Sequence, residues 1–190
     1  DNDRFAADCA KWFGHPITDI YSEKHGSSIG AVFNKSKGMS FPHGAPCTRL
    51  LKKGVRLEFE RPTDTHVFGY TAEEQGRWDS FLDANNIDAV APLIERGIEH
   101  ADCLSMIETA GIELPVMYRL GYEHNNCIGC VKASGAGYWN KVRKDFPVVF
   151  AERAEQSRRL GCRLIRIDGE RVFLDELPEG VGRYEDEPKI

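Results

Sequence analysis

With 190 residues, 41% of them hydrophobic and 29% charged, the chain has enough material for one α/β domain of ordinary size and too apolar a composition for a disordered segment. No apolar run approaches the roughly 18 residues of a membrane span, and Asp1-Asn2-Asp3-Arg4 lacks the basic-then-apolar order of a signal peptide. The formal net charge of −5 argues against general nucleic-acid binding.

Phe5, Cys9 and Phe13 recur at helical spacing, and Gly14 ends that helix. Ile17 to Tyr21 reads as a short strand, and Ser27 to Lys35 as a helix with Ile29, Val32 and Phe33 on one face. Residues 36–46 are loop, and Thr48 to Lys53 makes one or two helical turns. His66 to Tyr70 reads as a buried strand. Thr71-Ala72-Glu73-Glu74 then has capping-box spacing, with Trp78, Phe81 and Leu82 as the apolar face of the helix that follows. Ala89 to Leu93 is a second buried strand, and Ala101 to Ala110 a helix stopped by Gly111. Tyr138 to Phe146 is helical, and Pro147 breaks it or starts a new helix running to about Gly161. Asp168-Gly169 between Arg163–Ile167 and Arg171–Leu174 signals a hairpin. Residues 178–190 look like a frayed, acidic tail. Short strands alternating with helices predict an α/β fold with a doubly wound parallel sheet, a cysteine-bearing C-terminal subregion and a small hairpin.

Six cysteines are present, but a chain of this length does not need disulfide staples, so a reducing compartment, the cytoplasm, is expected. Cys9, Cys103 and Cys162 read as small core residues. Cys127 and Cys130 stand three apart in His124-Asn125-Asn126-Cys127-Ile128-Gly129-Cys130, a loop able to aim two sulfurs at one ion. Cys47 lies in the Pro-bounded turn Ala45-Pro46-Cys47, about eighty residues earlier. If the fold brings it in, three thiolates suit zinc or an iron–sulfur cluster, with His124 as a fourth ligand, a proton shuttle or a turn-orienting residue. The plain alternative is buried loop thiols. Lys141, Arg143, Lys144, Arg153, Arg158, Arg159, Arg163 and Arg166 crowd one stretch, which reads as a solvated helix face or as a surface for phosphate or nucleic acid. Tyr138 and Trp139 read as core, or as rings that stack on a base.

Five motifs then stand in order. They are Ala45-Pro46-Cys47-Thr48-Arg49-Leu50-Leu51-Lys52-Lys53, Phe68-Gly69-Tyr70-Thr71-Ala72-Glu73-Glu74-Gln75-Gly76-Arg77, Gly111-Ile112-Glu113-Leu114-Pro115-Val116-Met117-Tyr118, the Cys127/Cys130 loop with Val131-Lys132, and Gly137-Tyr138-Trp139-Asn140-Lys141-Val142-Arg143-Lys144-Asp145-Phe146-Pro147. Together they resemble the phosphoadenosine-phosphosulfate (PAPS) reductase-like family, of phage and bacterial type, across about residues 1–175. The resemblance implies an adenine-nucleotide α-hydrolase-like domain over residues 1–177, followed by the tail 178–190. It implies ATP or PAPS as ligand and sulfur-linked transfer or α-phosphate chemistry. It also implies a 4Fe–4S cluster or zinc on Cys47, Cys127 and Cys130. Gly69, Glu74 and Arg77, with Lys52, Lys132 and Arg143, become candidates for holding the nucleotide; ordinary surface or helix-pair roles are their alternatives. Further partners compatible with the resemblance are a nucleic-acid or sulfur-carrier substrate and a second copy of the chain, with no membrane.

The family's Ser-Gly-Gly-x-Asp-Ser type phosphate loop does not occur within residues 1–190. The resemblance therefore implies that a strand, that loop and a helix precede Asp1 or come from another chain. Residues 175–190 hold no cysteine to match the reductases' C-terminal nucleophile, so no catalytic residue is assigned. The alternative from another class is a non-catalytic, metal-stapled nucleotide or nucleic-acid binding module.

Overall fold

The structure is a computed structural model and describes residues 1–186. Helix α1 spans Asn2–Phe13 and ends on Gly14, whose left-handed backbone (φ 70°) lets its N–H reach back to Lys11. Helix α2 spans Ile29–Ser36, its first turn closed by the Ser28 hydroxyl accepting from the Ala31 N–H. A helical run follows as α3 (Pro46–Thr48), a π turn (Arg49–Lys53) and α4 (Gly54–Phe59). Strand β1 (His66–Val67) leads through a 3₁₀ turn to α5 (Gln75–Ala84), then β2 (Ala89–Val90), α6 (Pro92–Glu95), α7 (His100–Thr109) and α8 (Val116–Arg119). The chain continues as α9 (Ala136–Asp145), α10 (Pro147–Arg159), β3 (Ile165–Ile167) and β4 (Glu170–Val172).

The chain divides into two compact units. The first comprises Asp1–Thr18 and Glu60–Arg119, the second Asp19–Phe59 and Leu120–Ile190.

In the first unit, β1 and β2 pair in parallel, His66 opposite Ala89 and Val67 opposite Val90, with α5 between them in sequence. The rings of Phe68, Tyr70, Trp78 and Phe81 pack together, with Phe68 and Phe81 centroids 4.8 Å apart in an edge-to-face contact. Cys9 is buried as expected, while Phe13, placed on the same helical stripe by its spacing, is 56% exposed. The capping box forms: the Glu74 carboxylate accepts from the Thr71 N–H and hydroxyl.

In the second unit, α9 and α10 meet at Pro147, which starts α10 where its missing N–H costs nothing. Trp139, Val142, Phe150 and Ala154 of these helices are buried, with the Trp139 and Phe150 rings in contact, and Val32, Phe33, Leu164, Ile165 and Leu174 of the same unit are buried too. The Gln156 amide donates to the Gly30 carbonyl and to Asn34, tying α10 to α2. Strands β3 and β4 form the expected hairpin, with both turn residues left-handed, Asp168 at φ 48° and Gly169 at φ 86°.

The fold is thus mixed α/β, but among the described residues the strands make two separate two-stranded sheets. The doubly wound parallel sheet is not displayed, and Ile17 to Tyr21 forms no strand. An extended segment becomes a strand only where a neighbour takes its N–H and C=O groups. The tail also differs from expectation. Asn140 donates to the carbonyls of Pro178 and Val181, and Tyr184 packs on Tyr122, so residues 178–186 are seated on α9 and not frayed. Residues 187–190 of that tail lie outside the described residues. No helix among the described residues is long and apolar enough to cross a membrane.

Candidate metal centre

Cys47, Cys127 and Cys130 all belong to the second unit. Cys47 occupies the first turn of the helical run, behind Pro46 at its start and the buried Ala45. Pro46 fixes φ for the turn, and the left-handed Gly44 (φ 101°), bridged to Phe41, brings the chain into it. Three residues on, the helix widens into the π turn, where the Gly54 N–H bonds the Arg49 carbonyl. A β carbon on Gly54 would stand 3.1 Å from that oxygen. Such insertions in helices recur at functional sites.

The Cys127–Cys130 loop turns at Gly129, whose φ of 67° lies in the left-handed region. A β carbon there would meet Val149 Cγ1 at 3.1 Å and Arg153 Cγ at 3.4 Å, so the loop lies directly on α10. Cys127 is exposed, whereas Cys130 and Cys47 are partly covered. The Cys130 N–H donates to the buried Tyr138 hydroxyl at 2.8 Å, and the Glu123 N–H donates to the Tyr184 hydroxyl at 3.0 Å.

Cys47 feels the charge of the other two cysteines. Burial pushes the Cys47 thiol above its ordinary value, and a negative charge on Cys130, then on Cys127, pushes it further; the Thr48 N–H and the Lys52 ammonium partly offset this. Tyr138 is raised in the same way, by burial first, against the Cys130 N–H; charge on Cys130 and Cys127 adds to it. Electrostatic coupling of this kind is what a thiophilic cation would reverse, since it favours three thiolates at one point. Among the described residues, however, no three His, Cys, Asp or Glu side chains are gathered into a finished ligand set, and all six cysteines are free thiols. The donor chemistry fits a soft ion; the cage is not closed. His124 is partly covered and is not assembled with the cysteines into such a set.

The proposed nucleotide residues divide between the units. Gly69, Glu74 and Arg77 lie in the first; Lys52, Lys132 and Arg143 in the second. Gly69 has an ordinary negative φ and open space at its β-carbon position, so nothing there requires glycine. Glu74 is committed to the capping box and to an ion pair with Arg77, whose guanidinium also lies 5.3 Å from the Tyr70 ring centroid. These are the helix-pair roles. Arg143 donates to the Leu177 carbonyl at 2.7 Å and to Asn140, over the Phe150 ring. Lys52 and Lys132 are exposed. The basic stretch is mostly spent within the fold: Arg158 binds Asp175 and Glu176, Arg159 binds Asn34, and Lys141 binds Asp145 and the Leu120 carbonyl.

Sequence reasoning gave Tyr184 no role and did not tie Arg153 or Tyr138 to the cysteine loop. Arg153 sits against Gly129 and over the Phe33 ring, and its buried Nε has no acceptor among the described residues. Tyr138 is the core residue expected, but its hydroxyl serves the cysteine loop. Tyr184 fell in the supposed tail; an aromatic residue in an otherwise polar stretch was the available sign. No family model, curated protein or solved structure matches the chain.

Proposed function

We propose that the protein is a metal–thiolate protein of PAPS reductase-like kind that binds an adenine nucleotide. The carrying observation is that Cys47 and the Cys127/Cys130 pair, from loops far apart in sequence, lie within electrostatic reach of one another. Thiols coupled in this way, with Cys127 exposed, suit zinc or a 4Fe–4S cluster. Cys47, Cys127 and Cys130 would hold the metal, and His124, water or substrate would be the fourth ligand. Bound there, the metal would supply either a structural clamp or a Lewis-acidic or redox centre beside the substrate.

The chain's own residues have simpler tasks. Arg153 lies against the loop at Gly129, and the exposed Lys52 and Lys132 add positive charge for a phosphate or sulfate group. Arg143, Glu74 and Arg77 keep their structural partners. The parallel β1–β2 pair with α5 between supports a place in a doubly wound sheet at whose strand ends a nucleotide would lie. The reaction class proposed is sulfur transfer or adenylation.

Incubation of anaerobically purified protein with ATP or PAPS, with analysis for pyrophosphate, AMP and sulfite, tests the catalytic part. Pyrophosphate or AMP formation is expected; thioredoxin-dependent sulfite release from PAPS in its place would overturn this reaction class. Binding of nucleotide without turnover would favour the non-catalytic module.

A further inference from the structure

The cysteine loop is held at both ends by tyrosine hydroxyls. At its C-terminal end the Cys130 N–H donates to Tyr138 Oη at 2.8 Å, and Tyr138 is only 6% exposed, on the first turn of α9. At its N-terminal end the Glu123 N–H donates to Tyr184 Oη at 3.0 Å. Tyr184 reaches that position because residues 183–184 pass over Gly137. A β carbon on Gly137 would lie 2.5 Å from both Arg183 C and Tyr184 N, so only glycine admits the segment. The two rings are neighbours, with centroids 6.3 Å apart, and Tyr122 contacts both. Tyr122 in turn lies under the Lys141 ammonium, 4.5 Å from its ring centroid, and Lys141 pairs with Asp145. The loop that presents Cys127 and Cys130 is therefore anchored to a buried aromatic cluster, and one anchor comes from the C-terminal segment.

We propose that Tyr138 and Tyr184 are positioning residues for the cysteine loop: Tyr138 fixes the Cys130 backbone, and Tyr184, seated through Gly137, fixes the loop's entry. The role rests on the metal–thiolate reading for its consequence, though not for its geometry. Groups of this kind around a metal set ligand direction, and their loss commonly weakens metal binding by about 10–100-fold without touching a ligand.

The test uses the full chain and Tyr138→Phe, Tyr184→Phe and Gly137→Ala. Each tyrosine variant keeps the ring and removes only the hydroxyl; Gly137→Ala leaves both hydroxyls and displaces the segment that carries one. Zinc affinity is measured by competition with a chromophoric chelator, on protein shown by circular dichroism to be folded. About tenfold weaker binding is expected in each variant. Zinc binding at wild-type affinity in both tyrosine variants would overturn the role. A second arm needs no metal: in metal-free protein, alkylation followed by peptide mass spectrometry reads Cys130 against Cys47. Tyr138→Phe should speed Cys130 labelling severalfold and leave Cys47 as it was. Equal Cys130 rates in wild type and variant would overturn the positioning role whether or not zinc binds. Failure of wild-type protein to bind zinc, with Cys130 labelling still faster in the variant, would overturn the metal consequence while supporting the positioning.

Discussion

Gly129 shows how one residue shapes the candidate centre. Its left-handed backbone and the tight 3.1 Å approach to the Val149 methyl disfavour a side chain, so Gly129→Ala should destabilise the protein by about 1–2 kcal/mol in urea unfolding. It should also lower metal content, because the loop can no longer lie flat on α10. Cys47 gives a pH signature. Burial, then the neighbouring cysteines, holds its folded-state pKa above the ordinary 9.0, so the folded protein keeps this proton more tightly than the unfolded chain does. That contribution is complete below pH 9.0 and is lost as pH rises through the folded-state value. Metal-free wild type should therefore lose stability on the alkaline side faster than Cys47→Ser. Parallel alkaline profiles for the two proteins would remove this reading of Cys47.

At the scale of elements, the readable features were those whose physics is local. The Thr71–Glu74 box, Pro147 at the start of α10, Gly14 after α1 and the Asp168-Gly169 turn each depend on residues within a few positions, and all four formed. Thr71→Ala should cost about 1 kcal/mol, read by denaturant unfolding. Strand pairing and side-chain partners depend on distant residues, and there the expectations diverged. Arg143 looked like a free cation on a helix, but its acceptor is the Leu177 carbonyl, 34 positions away. Arg143→Ala should consequently lower stability by about 1.5–3 kcal/mol, through loss of a charged hydrogen bond and its contact with Phe150. Lys132→Ala, at an exposed position, should leave stability within about 0.5 kcal/mol of wild type. Nucleotide binding that survives Arg143→Ala in folded protein would fit the structural role given to Arg143 here.

Over the whole molecule, nothing in composition marks the seams at Thr18–Asp19, Phe59–Glu60 and Arg119–Leu120, because each unit draws on two separated stretches of chain. Three cysteines in Gly- and Pro-shaped loops were expected to meet; all three fall in the second unit and Cys47 feels the charge of the other two, but among the described residues they make no ligand set. The closure of a ligand set was not legible, and neither was the tyrosine support, since hydroxyl-to-backbone bonds leave no spacing rule. The most direct measurement is metal content per chain after anaerobic purification, by elemental analysis and visible absorption, in wild type and in single serine variants of all six cysteines. One zinc or one cluster per chain is expected, lost in Cys47→Ser, Cys127→Ser and Cys130→Ser and retained in Cys9→Ser, Cys103→Ser and Cys162→Ser. A wild-type protein that takes up neither metal, or metal that survives Cys47→Ser undiminished, would contradict a shared centre.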